Sequence, residues 1–205
     1  YTNAYGGAFV DQDAERRTLT DSGGNDTINF AAVESDSTVD LAAGNADIAG
    51  RALTIAPGTV IENVIAGDGD DTLTGGATRN MLHGGRGDDI LEGGGGDDLL
   101  IGGGGADLLD GGAGLDTAAY AQSKSPVSVS LKTGTGTGGD ADGDVLTSIE
   151  ILIGSPLPFG DLKSRHDPFT GAAITAGTGD TLEGSDGNDI ISGLGGADLI
   201  LGGGG

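Results

Sequence analysis

Acidic side chains recur at a spacing of nine residues along the stretch from Ala66 to Ala119. This stretch divides into six nonapeptides, each with glycine in its first half and an apolar residue at its eighth position. The sixth positions are Asp71, Asn80, Asp89, Asp98, Asp107 and Asp116. Because carboxylate and carbonyl oxygens are the ligands that Ca²⁺ prefers, this pattern predicts a row of calcium sites.

The nine-residue period also predicts the elements that position these side chains. A six-residue turn and a three-residue strand account for one nonapeptide, and two nonapeptides form one coil of 18 residues. Parallel strands of neighbouring coils lie about 4.8 Å apart, so each sixth-position side chain comes to lie beside its counterpart in the next coil. The expected pairs are Asp71–Asp89, Asn80–Asp98, Asp89–Asp107 and Asp98–Asp116. We expect one ion between the members of each pair, with the Asn80 site the weakest.

The Gly-Gly-x-Gly-x-Asp turns resemble the RTX, or haemolysin-type, calcium-binding repeats. In that family the second and fourth carbonyls of one turn face the first and third carbonyls of the next. The resemblance implies these ligands: Gly67, Gly69 and Asp71 with Gly84, Arg86 (carbonyl) and Asp89; Gly76, Thr78 and Asn80 with Gly93, Gly95 and Asp98; Gly85, Gly87 and Asp89 with Gly102, Gly104 and Asp107; Gly94, Gly96 and Asp98 with Gly111, Ala113, Gly114 and Asp116. Thr78 departs from the glycine that the family has there.

A turn of sequence DSGGND (Asp21–Asp26) and an IEN strand (Ile61–Asn63) lead into the array. Their order resembles the C-terminal domain of serralysin-type secreted metalloproteases, over roughly residues 21–116. The resemblance implies a lead-in calcium site made by Asp21, Gly23, Gly24, Asp26, the Val60 carbonyl and Glu62. Strand alternation places Glu62 on the side opposite Ile61 and Asn63, where it is either a ligand or a residue at the rim of the roll.

The same order of an aspartate turn, a spacer and a glutamate-bearing strand recurs further along the chain. Asp116 is followed by a spacer and then by a strand that contains Ser148 and Glu150, so we expect Glu150 to serve with Asp116 as Glu62 serves with Asp26. A second, shorter array begins near Thr175. It has room for at most one complete site, whose expected ligands are Asp180, Gly193, Gly195 and Asp198.

These patterns predict an all-β fold, a right-handed parallel β-roll with flanking capping strands and loops. The expected segments are a lead-in and capping segment (1–65), the roll (66–119), a spacer with covering strands (120–154), an inserted loop (155–174) and a truncated second array (175–205). Alternating apolar residues predict strands in both spacers. We expect these strands to cover or cap the roll, because an apolar stripe falls at its outward positions, Ile90, Leu99, Ile101 and Leu108.

Composition narrows the possible functions. The chain has 32 acidic and nine basic residues and a formal net charge of -23, which makes it a poor candidate for neutralising nucleic-acid phosphates. It has 44 glycines and no cysteine, so sulfur chemistry is excluded. No run of about 20 apolar residues is present to span a bilayer, and the N-terminus lacks the features of a signal peptide.

No catalytic motif emerges. A serralysin protease needs a zinc helix of the HExxH type, yet the histidines are His83 and His166, neither of which has a second histidine at that spacing. The carboxylates are already explained by their repeat positions. We therefore expect a non-catalytic module, and because the chain stops inside a repeat we expect it to be a fragment of a longer protein.

The predicted function is a calcium-binding module that folds after export and stabilises a secreted bacterial protein. The RTX resemblance implies type I secretion and an extracellular location. Two settings remain open: the non-catalytic tail of a serralysin-like metalloprotease, and a structural or adhesive segment of a large RTX surface protein. The expected partners are several calcium ions and an adjoining catalytic or adhesive domain of the same chain.

Overall fold

The computed structural model describes residues 17–21, 23–155, 179–185, 189–194 and 198–202. These residues form short strands and a 3-10 helix, Gly139–Ala141, which confirms the predicted all-β class. The strands are β1 (Thr18–Leu19), β2 (Thr27–Asn29), β3 (Ser37–Asp40), β4 (Asn45–Ile48), β5 (Arg51–Ile55), β6 (Asn63–Ile65), β7 (Thr72–Thr74), β8 (Met81–Arg86), β9 (Ile90–Glu92), β10 (Leu99–Gly104), β11 (Leu108–Asp110), β12 (Thr117–Ala119), β13 (Ser128–Ser130), β14 (Thr135–Thr137), β15 (Val145–Thr147), β16 (Ile151–Ile153), β17 (Thr181–Glu183), β18 (Ile190–Ser192) and β19 (Leu199–Leu201).

Strands of the array alternate between two sheets. One sheet has the order β18-β16-β12-β10-β8-β6-β2, and the other has the order β1-β5-β4-β3-β7-β9-β11-β15-β14-β13-β17-β19. Neighbours within the array are parallel, and partners are 18 residues apart, as in Leu73 with Leu91 and Leu82 with Leu100. Two nonapeptides therefore complete one coil, and the predicted parallel β-roll is confirmed.

The eighth-position side chains form the core between the two sheets. Leu73, Leu82, Leu91, Leu100 and Leu109 are each 0% exposed. Burial of a leucine side chain contributes about 1.5–3 kcal/mol. Each strand of the array is therefore held in the position that places its eighth-position leucine between the two sheets. Because the core sets the strand register, it also sets the register of the turns between strands.

The strands of both spacers pair within the larger sheet instead of lying over the roll. β3, β4 and β5 form an antiparallel meander, and so do β13, β14 and β15. The expectation that the spacer strands lie over the outward apolar positions was therefore wrong, although the 3-10 helix of the second spacer contacts β10, where Leu99 and Ile101 are half-buried. Ile90 and Leu108 remain 38% and 39% exposed, because the spacer strands pair edge to edge within the sheet.

The second array continues the first roll. β17 pairs in parallel with β13, β18 with β16, and β19 with β17. The described residues thus form a single solenoid of two sheets. Of the predicted inserted loop, Ser155 is described and the remainder lies outside the described residues.

The segment from β2 to β7 recurs as the segment from β12 to β17. In the first copy Phe30 N–H donates to the Ile65 carbonyl at 2.8 Å, and in the second Tyr120 N–H donates to the Ile153 carbonyl at 2.8 Å. Each copy consists of a turn, an antiparallel meander, a glutamate-bearing strand and the start of an array. The roll therefore contains two equivalent modules whose site residues can be compared directly.

Candidate metal centres

Sixth-position side chains of neighbouring coils are linked by a ladder of hydrogen bonds. Asp71 N–H donates to Asp89 Oδ1 at 2.8 Å, and Asp89 N–H donates to Asp107 Oδ1 at 2.9 Å. On the other side of the roll Asp98 N–H donates to Asp116 Oδ1 at 2.8 Å. The structure therefore brings together the carboxylates that the spacing paired.

The second carboxylate oxygen of these residues is buried without a hydrogen-bond partner among the described residues. This holds for Oδ2 of Asp26, Asp71, Asp89, Asp98, Asp107 and Asp116. A buried carboxylate oxygen without a partner costs free energy, so unpaired oxygens repeated in this way need a physical reason. A cation held between the coils would supply it.

The pKa values of these carboxyls also indicate that the site needs a cation. Burial raises the pKa of Asp71 and Asp98 to about 6. Burial, with a smaller contribution from neighbouring carboxylates, raises the pKa of Asp89 and Asp107 to about 7. The protein alone thus destabilises the ionised form of these groups, and a bound cation would favour it.

Glycine turns hold backbone carbonyls close to these oxygens. Gly87 has a φ of +116°, and a Cβ added there would collide with the Gly69 carbonyl of the preceding coil. A Cβ on Gly84 would collide with Asp89 Oδ2 and would lie 2.7 Å from the Gly102 carbonyl. The unpaired oxygen therefore faces a space lined by carbonyls that only glycine leaves open. Hard oxygen ligands of this kind suit Ca²⁺.

Hydrogen bonds also link the predicted ligand carbonyls of facing turns. Arg86 N–H donates to the Gly67 carbonyl at 2.9 Å, and Gly69 N–H donates to the Arg86 carbonyl at 2.8 Å. Similar bonds reach the carbonyls of Gly76, Gly94, Gly104 and Ala113. Each carbonyl has two lone pairs and so keeps one for a cation. The Arg86 side chain is 79% exposed and pairs with Asp68 at 3.1 Å, so its carbonyl is the group that this residue could offer an ion.

The lead-in turn repeats the ladder with a glutamate. Asp26 N–H donates to Glu62 Oε2 at 2.8 Å, and burial raises the pKa of Asp26. Asp21 Oδ2 accepts the Gly23 N–H at 2.6 Å, and a Cβ on Gly24 would lie 3.2 Å from Asp26 Oδ2. Val60 is 47% exposed. The Asp21 carboxylate also raises the pKa of Asp26, so the structure brings Asp21, Asp26 and Glu62 together here.

The second module has the same pair. Asp116 N–H donates to Glu150 Oε2 at 2.9 Å, as Asp26 does to Glu62. Ser148 has a φ of +52°, and its carbonyl lies so close to Gly111 that a Cβ there would collide with it. Glu62 and Glu150 thus occupy equivalent places in the two copies.

Asn80 differs from the aspartates of the ladder. Its N–H donates to Asp98 Oδ1 at 2.6 Å, which preserves the register. Its side-chain Nδ2 donates to the Glu62 carbonyl at 3.1 Å, and its Oδ1 accepts the Gly76 N–H at 2.8 Å. The amide is fully hydrogen-bonded, so it offers a cation less than an aspartate would.

Asp180 also lacks an unpaired oxygen. Its N–H donates to Asp198 Oδ1 at 3.0 Å, as in the ladder. However, Ser155 N–H donates to Asp180 Oδ2 at 2.5 Å, and Val127 N–H donates to Asp180 Oδ1 at 2.8 Å. Gly193 lies against Asp198 Oδ2, and Gly195 is outside the described residues. The geometry supports an ion less strongly here than in the first array.

Two groups of carboxylates were missed in the sequence. At the fifth position, Asp70 Oδ1 accepts Asp88 N–H at 2.9 Å and Asp97 Oδ1 accepts Leu115 N–H at 3.0 Å, so these side chains tie successive turns together. Their recurrence at position five was the available signal. The second missed carboxylate is that of Asp144, which lies in the second spacer. Its Oδ1 accepts the Asp107 N–H at 2.9 Å.

Within the described residues, no three His, Cys, Asp or Glu side chains converge as a metal-binding group. Each site in the roll would therefore combine two carboxylates with backbone carbonyls. Those residues also include no helix long and apolar enough to cross a membrane.

Comparison with known proteins agrees with this arrangement. Residues 9–136 match the family described as Peptidase M10 serralysin C terminal, and residues 174–205 match the RTX calcium-binding nonapeptide repeat (4 copies). Both are non-catalytic parts of their proteins. The chain is 44% identical over 66 residues to a serralysin of Proteus mirabilis, an alignment that covers 31% of this chain and 13% of that protein. Because the first match covers more than half of the 205 residues, the chain belongs to the serralysin C-terminal domain family and carries RTX calcium-binding repeats.

Proposed function

We propose that this chain is a calcium-folded module of a secreted bacterial protein, and that ion binding and folding are a single equilibrium. The observation that carries the proposal is the ladder of buried aspartates whose Oδ2 atoms have no hydrogen-bond partner among the described residues. Carboxylates stacked in neighbouring coils repel one another, and a bound calcium ion would supply the compensating charge.

The proposed ligands follow the ladder. Each ion is held by the unpaired oxygen of one carboxylate, by the acceptor oxygen of its partner in the next coil, and by carbonyls of the two glycine turns. The pairs are Asp26–Glu62, Asp71–Asp89, Asp89–Asp107, Asp98–Asp116 and Asp116–Glu150. We place weaker sites at Asn80–Asp98 and Asp180–Asp198, because the first residue of each pair, Asn80 or Asp180, has no unpaired side-chain oxygen.

The parent protein that we propose is a serralysin-like metalloprotease exported by type I secretion. The family match and the serralysin relative support this setting. Extracellular calcium modules bind their ion at about 10⁻⁴ to 10⁻³ M, so the chain would stay unfolded in the cytosol and fold outside. The module would then act as a stabilising tail of the catalytic domain.

One observation favours a second setting, a structural or adhesive segment of an RTX surface protein. The turn, meander and glutamate strand occur twice, at β2–β7 and β12–β17, and a repeated module is typical of an extended scaffold. The adjoining coding sequence separates the two settings. A zinc helix of the HExxH type upstream supports the protease, and further tandem modules support the scaffold.

The folding proposal is tested by circular dichroism of the chain during calcium titration from a calcium-free start. We expect little ordered β signal without calcium and a cooperative gain on its addition, whereas Mg²⁺ at the same concentration should have little effect. Asp89→Asn should shift the midpoint to higher calcium and bind two ions fewer, since Asp89 faces both Asp71 and Asp107.

Asp88→Asn is the matched control, because Asp88 is adjacent and exposed, the substitution removes the same charge, and the amide oxygen can still accept the Ala106 N–H that Asp88 Oδ1 accepts at 2.8 Å. Its ion count should equal that of the wild type. A wild-type chain with the same spectrum in chelator and in calcium, or one that binds no calcium, would refute the proposal.

A further inference from the structure

A degenerate nonapeptide lies inside the second spacer, at Gly139–Thr147. Asp144 stands at its sixth position and Leu146 at its eighth, and Leu146 is 5% exposed. β15 pairs in parallel with β11, with Leu146 opposite Leu109. This segment therefore takes the place of the next coil after β11, although it lies outside both family matches, which cover residues 9–136 and 174–205.

Asp107 and Asp144 reproduce the geometry of the ladder. Asp107 N–H donates to Asp144 Oδ1 at 2.9 Å, as Asp89 N–H does to Asp107 Oδ1. Asp107 is 1% exposed, and its Oδ2 has no hydrogen-bond partner among the described residues. That oxygen lies against Gly102 at the start of its own turn, as Asp89 Oδ2 lies against Gly84. Asp107 Oδ2 therefore has the same place in its own turn as Asp89 Oδ2 has in the turn one coil earlier.

Tyr120 explains why the row ends at Asp144. Its hydroxyl donates to Asp144 Oδ2 at 2.9 Å, and the tyrosine is 2% exposed. In the array this second oxygen would face a further coil, but the next strands in the sheet are β14 and β13, which belong to the antiparallel meander. Asp144 thus has one oxygen for a cation and one oxygen fixed by the phenol.

The first module shows that the meander does not need this carboxylate. In the sheet registers, Leu108 pairs with Val145 in the second module where Thr18 pairs with Thr54 in the first. Leu53 therefore stands at the place of Asp144, and it is 4% exposed. Likewise Phe30 stands at the place of Tyr120. An apolar pair fills in one module the position that an acid and its hydroxyl partner fill in the other.

We infer that Asp107 and Asp144 bind an additional calcium ion at the junction of β11 and β15. Asp107 Oδ2 and Asp144 Oδ1 are the carboxylate ligands, and carbonyls of the Gly102–Asp107 turn and water complete the coordination. The inference rests on the proposed calcium binding of the array and adds one ion to it. Tyr120 is a positioning residue that holds the Asp144 carboxylate.

The test is the number of calcium ions bound by the whole chain, counted by native mass spectrometry and by calorimetric titration with CaCl₂. Asp144→Asn should bind one ion fewer than the wild type. Asp142→Asn is the matched control, since Asp142 lies in the same segment, is exposed and loses the same charge. The control should keep the wild-type number.

Circular dichroism at saturating calcium reports whether each variant folds. Should Asp144→Asn fail to fold, Asp144→Leu introduces the residue of the first module and should fold with one ion fewer. The wild-type ion number in a folded Asp144→Asn or Asp144→Leu variant overturns the inference. Absence of calcium binding by the wild type would instead overturn the proposed function, so the two failures are distinguishable.

Discussion

Each aspartate of the ladder uses its two oxygens for different purposes. Oδ1 accepts a backbone N–H from the preceding coil and fixes the register, while Oδ2 is left unpaired in the glycine turn. Asn80 does neither with its side chain, because its Oδ1 accepts the Gly76 N–H of its own turn and its Nδ2 donates to the Glu62 carbonyl. Its backbone N–H still donates to Asp98 Oδ1, so the coils keep their register where one side chain offers a cation no unpaired oxygen.

The glycine turns give a prediction at a single residue. Gly87→Ala should weaken calcium-induced folding, because the φ of +116° and the nearby Gly69 carbonyl both exclude a Cβ. Left-handed backbone at a residue other than glycine costs about 1–3 kcal/mol, and displacement of the carbonyl adds to this. The calcium midpoint and the thermal unfolding temperature in calcium measure the effect.

Gly104→Ala is the control for Gly87→Ala. A Cβ on Gly104 meets no heavy atom of the described residues within 4 Å, and its φ lies outside the range that favours glycine. This variant should fold with a midpoint close to that of the wild type. If the two variants raised the calcium midpoint equally, the close contact between Gly87 and the Gly69 carbonyl would not be what makes glycine necessary in the turn.

At the level of strands, the sequence predicted the features that follow from the nine-residue period, namely which sheet a strand joins and which strand it pairs with. The period fixed the alternation between sheets and the pairing of Leu73 with Leu91, since both follow from turn and strand lengths. It could not show how the spacers pack, because an alternating strand such as β13 satisfies a covering layer and a meander equally well. Asp144 was missed because its segment keeps only the sixth and eighth positions recognisable, and part of its turn is a 3-10 helix.

The leucine row carries the prediction at this scale. Leu100→Ala should lower the free energy of unfolding in saturating calcium by about 2–5 kcal/mol, since the side chain is 0% exposed between two sheets. Leu99→Ala, one residue earlier and only partly buried, should cost less. Denaturant unfolding in calcium compares the two. A Leu99 variant as destabilised as the Leu100 variant would contradict the assignment of the core to the eighth position.

For the molecule as a whole, the dominant property is the close approach of buried aspartate carboxylates in neighbouring coils. The net charge is -23, and the ladder gathers part of that charge into the interior of the roll. The leucine row and the hydrogen bonds favour the roll, whereas the ionised carboxylates oppose it. Any agent that neutralises those carboxylates should therefore promote folding, whether it is a divalent cation or a proton.

Protons provide the test at this scale. Burial raises the pKa of Asp89 and Asp107 to about 7 in the cation-free roll, whereas an unfolded aspartate has a pKa of about 3.9. A raised pKa means that the folded form binds protons more tightly, so this contribution to stability is complete below about pH 4 and is lost as the pH rises through about 7. Calcium-free protein should therefore gain β signal in circular dichroism between about pH 8 and about pH 5.

The titration should stop above the sequence pI of about 4.1, where loss of net charge favours precipitation. The control is the double variant Asp89→Asn/Asp107→Asn, whose side chains do not titrate. It should show a smaller gain over the same interval, since the remaining ladder carboxyls still take up protons. A wild-type chain whose β signal stays constant or falls on acidification would contradict the view that buried carboxylate charge keeps the cation-free roll unfolded, because protonation removes that charge without adding any metal.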